Sequence, residues 1–333
     1  MNWEKCLSND FWDSRLTQLS CPSYMQYSAW GTYKERKGEV VCRYLSKEND
    51  EIKAMVQCFI KKVSNILAVV WVPGGPAGDL AAFDKTFYRF LKRELKVKFL
   101  YIRLFSHHIR DHKAVTTLNE LGWKNFRHKK VSPYSMMVNL DRDLEGLKSS
   151  LTKNWRHNLK RSGKKPAIIQ KWEKPDSKEM RALFHSMEKI KGIGEQFSEE
   201  EISHLLELFG DNIHLLQCSD PDGNLIAIRA CLTIGDHSWD LFAAANDKAR
   251  RVYASYGLLW NLLSHCHANN IKRYDLSGVD KKNNLGVYNF KKGTGADHIE
   301  YLGEWDMASS KILRFLIKKK LTILVHVSQV QIL

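Results

Sequence analysis

Residues 250–269 read Arg250-Arg251-Val252-Tyr253-Ala254-Ser255-Tyr256-Gly257-Leu258-Leu259-Trp260-Asn261-Leu262-Leu263-Ser264-His265-Cys266-His267-Ala268-Asn269. From Ala254 onward, Leu258, Leu259, Leu262, Leu263 and Cys266 recur at intervals of three and four, which predicts a helix with one apolar face. The first-turn N–H groups of a helix have no partner inside it, and the helix dipole makes that end attractive to an anion. Arg251 and the amides of Tyr253 to Tyr256 fall there. The same residues also suit a plain helix start whose tyrosine packs into the core, and the sequence weighs the two readings evenly. Downstream come Tyr274-Asp275-Leu276-Ser277-Gly278-Val279-Asp280, Leu285-Gly286-Val287-Tyr288-Asn289-Phe290-Lys291-Lys292-Gly293 and Tyr301-Leu302-Gly303-Glu304-Trp305-Asp306. After the helix these predict strand, loop and strand.

Outward from this stretch, apolar periodicity alternates between the two regular structures. Residues 54–61 and 66–73 predict strands, closed by Pro73-Gly74-Gly75-Pro76, which no helix or strand continues through. A helix over 83–95, a strand over 97–104, a helix over 114–121 and a strand over 135–140 follow. Strand pairs mixed with helices predict an α+β fold with a sheet of mixed direction rather than a doubly wound one. Over 143–163, Leu144, Leu147, Leu151, Trp155 and Leu159 form one stripe of a predicted helix, with Lys153, Arg156, Lys160 and Lys164 opposite. Between Lys148 and Lys174 nine Lys or Arg face a single acid, Glu173, so this face suits a phosphate-bearing partner or, more plainly, solvent. Helices over 178–191 and 198–209 flank Gly192-Ile193-Gly194-Glu195-Gln196, and Ser198 with Glu201 spells a capping box. Strands over 213–218 and 225–234 form a hairpin across Asp220-Pro221-Asp222-Gly223. A strand over 237–244 follows, and a terminal helix over 311–325 carries Lys318-Lys319-Lys320. The pattern repeats once, dividing the chain into a domain over 1–145, completed by the helix at about 310–333, and a second over 146–309.

With 333 residues and 44% hydrophobic content the chain can fill two cores. Lys and Arg number 52 against 37 Asp and Glu, a formal charge of +15, which points to a polyanionic partner. Seven cysteines, none paired at metal-ligand spacing, argue for free thiols in a reducing compartment. The start lacks the basic and apolar segments of a signal peptide, and no apolar run reaches the length of a membrane span. The expectation is a cytoplasmic protein, with peripheral contact at the inner face of an anionic membrane.

The order and spacing of the motifs over 250–306 resemble the C-terminal half of the FemABX family, peptidoglycan bridge-forming aminoacyltransferases. The resemblance extends with less force to 25–80 and 150–165. It implies two tandem GNAT-like acyltransferase domains, in the compact form that lacks the coiled-coil arm of some members. Where an acetyltransferase holds the pyrophosphate of coenzyme A with two glycines, this chain has Ala254 and Tyr256. Trp30 and Lys34 match an aromatic residue and a lysine that meets substrate phosphates. Trp155-Arg156-His157-Asn158-Leu159-Lys160-Arg161 is similar to the basic segment opening the family's second domain. Lys291, in Tyr288-Asn289-Phe290-Lys291, matches a lysine facing the reacting ester.

The resemblance thus names Lys291 as the catalytic candidate. Trp30, Lys34, Arg156, Lys160, Arg251, Tyr253, Tyr256 and Tyr288 are the substrate-binding ones, with no metal. It implies no cofactor: aminoacyl-tRNA is the co-substrate and a phosphorylated cell-envelope precursor the acceptor. Two departures stand out. Ser106-His107-His108 follows the third-strand arginine, Arg103, where many relatives place an Asp, and Glu195 and Gln196 are the nearest positions to where some relatives carry an arginine that grips substrate phosphate. The alternative reading is an N-acyltransferase moving an acyl group from acyl-coenzyme A to an amino sugar. A third is a binding module for tRNA or anionic lipid without catalysis.

Overall fold

The computed structural model of the chain describes residues 2–126 and 132–317. The chain folds as two units, one running up to Pro133 and resuming at Ile299, the other Tyr134–His298. In chain order the first unit holds β1 (Asn2–Cys6), α1 (Asn9–Leu16), α2 (Ser28–Arg36), β2 (Val40–Glu48), β3 (Glu51–Ser64), β4 (Leu67–Gly74), β5 (Ala77–Gly78), α3 (Lys85–Glu94), β6 (Phe99–Ile109), α4 (His112–Glu120) and β7 (Lys124–Asn125). The second holds β8 (Tyr134–Asn139), α5 (Leu144–Ser150), α6 (Lys153–Ser162), β9 (Ile168–Lys171), α7 (Ser177–Lys191), α8 (Glu199–Phe209), β10 (Ile213–Ser219), β11 (Leu225–Ile234), β12 (His237–Ala245), α9 (Asp247–Arg251), α10 (Ala254–Ala268), β13 (Arg273–Asp275) and α11 (Leu285–Lys292). The chain then returns to the first unit as β14 (Asp297–Ala308).

Strand order in the first unit is β1-β2-β3-β4-β6-β14, with β5 against β3 and β7 against β14; in the second it is β8-β13-β12-β11-β10-β9. Each unit has one parallel pair, β4 with β6 and β12 with β13, while the neighbours are antiparallel. A helical crossover has to separate two parallel neighbours: α3 supplies it in the first unit, and α9 with α10 in the second. Both units therefore carry the α+β sheet of mixed direction that the sequence predicts.

The dividing lines fall elsewhere than at 145/146 and 309/310. β8 begins the second unit at Tyr134. β14 joins the first because its residues Tyr301 to Ala308 pair along β6 and Trp305 and Asp306 pair with β7. Of the terminal helix, residues 311–317 are helical, and Lys318-Lys319-Lys320 lies outside the described residues.

Two predicted elements change. The helix over 143–163 is two helices, α5 and α6, each with its own cap: the Asp143 carboxylate accepts from Gly146 N at 2.7 Å and Thr152 Oγ1 from Trp155 N at 3.4 Å. Ser149 and Ser150 turn their hydroxyls back on the carbonyls of Gly146 and Leu147, competing with helix propagation at the break. The stretch over 285–292, predicted as loop and strand, is the helix α11, capped by Asn284, whose side chain accepts from Val287 N. Its valine and aromatic residues read as strand formers, and packing on α6 and α10 overrides that preference. The capping box at Ser198 and Glu201 forms in both directions, at 3.1 and 2.9 Å.

The first core centres on Phe83, Phe87, Trp123 and Trp305, with Phe83 and Trp123 stacked at 5.1 Å and Trp123 Nε1 donating to Phe83 O at 2.8 Å. The second is built on Trp155, Leu258, Leu259, Leu262 and Tyr274. Tight approach shows at Gly78, where β5 ties the chain after Pro76 to β3. Its φ is +90° and a Cβ there would come within 2.3 Å of the Lys53 carbonyl oxygen. Gly78→Ala therefore combines backbone strain with a backbone clash, and should lower unfolding free energy by roughly 2 kcal/mol or more, read from urea midpoints. An unchanged midpoint would refute the packing described for this turn.

Candidate active site

Lys291 sits in the last turn of α11 and is 8% exposed, whereas Lys292 beside it is exposed. The roughly 100° step per helical residue separates the two side chains. The Lys291 ammonium donates to the carbonyl oxygens of Ser277 and Gly278 at 3.1 and 2.8 Å. A lysine has three N–H donors. Two are taken by these carbonyls, and one is left for a substrate oxygen.

The carbonyls are aimed by a constrained peptide. Ser277 has φ +62°, a left-handed conformation that costs a non-glycine residue on the order of 1 kcal/mol. Two hydrogen bonds hold it there. Ser277 N donates to Asp275 Oδ1 at 2.7 Å and Ser277 Oγ donates to the Asp240 carbonyl at 2.8 Å. Asp275 is the last residue of β13, pairs with Met137 of β8, and accepts a further short hydrogen bond from the Ser135 hydroxyl. Asp240, on β12, accepts from Nε and Nη2 of Arg229 on the neighbouring β11 and from the Tyr274 hydroxyl at 3.2 Å.

Burial is the largest influence on Lys291 and brings its pKa from 10.5 down to about 8. Asp240 and Asp275 pull it back up, while Arg229 and Lys191 push further down. Lys191, ending α7, is itself lowered, by burial first and then by Arg229 and Arg250. Lys291, Arg229 and Lys191 thus set three cations against the two carboxylates of Asp240 and Asp275. With Lys291 and Arg229 both buried, the surplus positive charge favours an anion or a carbonyl gaining negative charge.

At the start of α10, Tyr253 takes the cap position with φ +58° and offers no side-chain cap, so the first-turn amides are not satisfied by a capping side chain. Tyr256 packs edge-on against Trp155 at 5.0 Å and Phe290 at 5.1 Å. It fills the space that a glycine would leave open, while the Arg161 guanidinium lies 4.5 Å over the Tyr253 ring. Arg251 is exposed at the end of α9. Tyr288, one turn before Lys291 on α11, places its hydroxyl 3.3 Å from His298 Nε2. On α6, Lys160 is exposed, but Arg156 is partly committed: its guanidinium donates to the carbonyls of Ser149 and Leu151 and closes the end of α5. The structure therefore gathers Tyr253, Tyr256, Tyr288 and Lys291 around α10 and α11.

Trp30 and Lys34 belong to the first unit. As residues i and i+4 of α2 they share a face, with the Lys34 ammonium 5.5 Å from both the Trp30 and Tyr33 rings and 3.4 Å from Glu39. A phosphate at Lys34 would have to displace Glu39. His107 and His108, standing where many relatives place an Asp, are half-buried. Burial brings the His107 pKa down to about 3, and His108 Nε2 is 3.0 Å from the Pro76 carbonyl. Arg103 of the same strand is paired with Glu304. Sequence reasoning missed Arg229, Asp240, Lys191 and the role of Ser277. A charge in the middle of the apolar run 225–234 was the signal for Arg229, and none marked Asp240 as its partner.

The arrangement matches known folds along nearly the whole chain. The crystal structure of FemX superposes with a TM-score of 0.84 at 15% identity, covering 95% of this chain and 100% of that one. The C-terminal domain of a putative lysylphosphatidylglycerol synthetase from Agrobacterium fabrum gives 0.58 at 13%, covering 95% and 98%. A tandem GNAT protein from the clavulanic acid biosynthesis pathway gives 0.53 at 10%, covering 93% and 99%. At such identities these likenesses establish the fold, that of a tandem GNAT-like protein. No curated protein sequence matches the chain. Residues 198–319, which include Lys291 and its Ser277 clamp, match the sequence profile of the FemAB family. Over that segment the chain is similar to the FemAB family, and along nearly its whole length it shares the tandem GNAT-like fold. α7 and α8, of 15 and 11 residues, leave no coiled-coil arm among the described residues.

Ser277→Ala keeps the strained backbone but loses the anchor to Asp240, so the two carbonyls should drift from the ammonium. The expected result is a turnover loss of about tenfold, following the loss of about one hydrogen bond, with the melting temperature within a few degrees of wild type. Wild-type turnover in that variant would remove the clamp from the account.

Proposed function

We propose that the chain moves an amino acid from aminoacyl-tRNA to an amine of a peptidoglycan precursor in the cytoplasm. The acceptor nitrogen attacks the ester carbonyl carbon and a C–N bond forms. The bond from that carbon to the tRNA ribose oxygen breaks, and the proton shed by the amine ends on the departing oxygen or in water. Negative charge gathers on the carbonyl oxygen meanwhile. The free N–H of Lys291 is directed to meet it, and attack is direct, without a covalent enzyme intermediate.

The single observation carrying this reading is the lysine held out of water on two backbone carbonyls inside the family-matched segment. Lys34 and the exposed cations of α6 are assigned to substrate phosphates, and Arg251 with the α10 first turn to anionic parts of the donor. The acyl-coenzyme A alternative is not favoured, and the Tyr256 ring between Trp155 and Phe290 stands where a pyrophosphate needs open backbone. Calorimetric titration with coenzyme A and with charged tRNA separates them: micromolar coenzyme A binding with no tRNA response rejects the reading.

Lys291→Met should cut transfer from charged tRNA on the order of a hundredfold or more while leaving tRNA binding intact. Burying the charge costs the fold about 3 kcal/mol at neutral pH, from the gap between 10.5 and about 8. Because this lysine's folded pKa is depressed, the cost is full below about pH 8 and fades as pH rises toward 10.5. The methionine variant should therefore melt no lower than wild type at pH 7. A stabilising structural lysine would give the opposite result.

The ammonium is the active form of Lys291 while the attacking amine must be the free base, so initial rates should rise with pH up to about 8 and then level off, the gain in free amine offset by the loss of the ammonium. A rate that keeps climbing tenfold per pH unit between about pH 8 and 9.5 would refute a cationic role.

A further inference from the structure

One end of the first unit collects exposed apolar side chains and unpaired cations. β3 ends there in Lys61-Lys62-Val63, the turn to β4 passes Ile66, and Ile66 O accepts from Phe99 N at 2.7 Å, bringing the start of β6 alongside. α3 ends at the same place, followed by Lys96-Val97-Lys98. Ser309, after the last residue of β14, bonds Leu100 N at 2.9 Å, so the helix over 311–317 also starts from this end. Val40, paired with Ile60 at the start of β2, completes the edge.

Six of the fifteen large apolar side chains exposed among the described residues lie on these segments: Val40, Val63, Ile66, Ile312, Phe315 and Leu316, each more than half exposed. Single exposed aliphatics are ordinary, but a group drawn from four segments at one end is not. Around them Arg89, Lys92 and Arg93 of α3, with Lys96 and Val97 just after it, line an open depression of about 460 Å³. Among the described residues none of these four, nor Lys61 or Lys62, has a carboxylate within ion-pair distance. The acids nearby are Glu94 and Glu39, and Lys34 already engages Glu39 at 3.4 Å. None of these groups takes part in the chemistry at Lys291.

We propose that this end of the first unit rests on an anionic membrane surface. Val63 and Ile66 enter the headgroup layer, and the cations of α3 and of the β3–β4 turn meet lipid phosphates. Two features select lipid over a nucleic acid. Protruding aliphatic residues gain nothing against a sugar-phosphate backbone, which is met by cations and stacking aromatics. Cations interleaved with exposed aliphatics match an interface where acyl chains lie just below phosphates.

The test is co-sedimentation of the full chain with vesicles of phosphatidylglycerol and phosphatidylcholine, against phosphatidylcholine alone. The chain should sediment with the anionic vesicles only, and release as salt rises. Lys96→Glu with Lys98→Glu should weaken partitioning by roughly tenfold or more, and Val63→Ser with Ile66→Ser should also weaken it. All four side chains are exposed, so melting curves should match wild type, and transfer to a soluble acceptor should be unchanged. That last readout keeps a failure of membrane docking distinct from a failure of the transferase reading. Equal sedimentation with both vesicle types overturns the proposal, as does binding that survives both double variants. A charge reversal that weakens tRNA binding and leaves vesicle binding intact overturns it in favour of an RNA surface.

Discussion

An ammonium held out of water on two backbone carbonyls is the constraint around which the second unit is arranged. Burial alone would discharge it, and unpartnered it would be expelled to solvent. Its retention requires acceptors that cannot turn away, and the Ser277 peptide provides them because its left-handed backbone is pinned at both N–H and hydroxyl. Those pins in turn need Asp275 and Asp240 on adjacent parallel strands β13 and β12, where Asp275 pairs with Trp239. The parallel pair is thus more than architecture: it sets the two carboxyl-bearing residues a strand apart, on either side of the loop that the lysine reads.

The helix cluster does the complementary part of the work. Trp155 of α6 donates from Nε1 to Phe290 O at 3.2 Å, fixing the turn of α11 that carries Lys291. Phe290 also lies 5.4 Å under the Arg229 guanidinium. Tyr256 closes the remaining gap from α10, so three helices meet on aromatic rings beside the lysine. A glycine at 256 would leave backbone open to a pyrophosphate. A tyrosine converts the same helix start into packing that stiffens α11.

Much of this was legible in the sequence. The α10 heptad-like spacing, the hairpin turn at Asp220–Gly223 and the Ser198 capping box express local physics, and each formed as read. Lys291 was singled out through the resemblance carried by the residues around it. What could not be read was long-range pairing. Arg229 and Asp240 face each other only because β11 and β12 pair as a hairpin, and the strain at Ser277 arises from partners on β8, β12 and β13. α11 misled because Val287, Tyr288 and Phe290 favour strands locally, and its helix owes its existence to Trp155 and Tyr256. Likewise the break between α5 and α6 lay in serines and a threonine that interrupt an otherwise continuous apolar stripe.

The choice of lysine over arginine follows from the same geometry. A guanidinium stays charged through the whole working range and spreads five donors over a rigid plane, so two carbonyls on one side would leave several N–H groups buried and unsatisfied. An ammonium has three donors about one atom. Two carbonyls consume two of them and leave a single direction, and burial lowers its pKa to about 8 without removing the charge at neutral pH. A donor with one remaining direction suits an oxygen whose charge grows along one bond. The neighbouring Arg229 shows a different use of a cation, because its Nε and Nη2 both pair with the Asp240 carboxylate, which holds the guanidinium as a fixed positive charge beside the lysine.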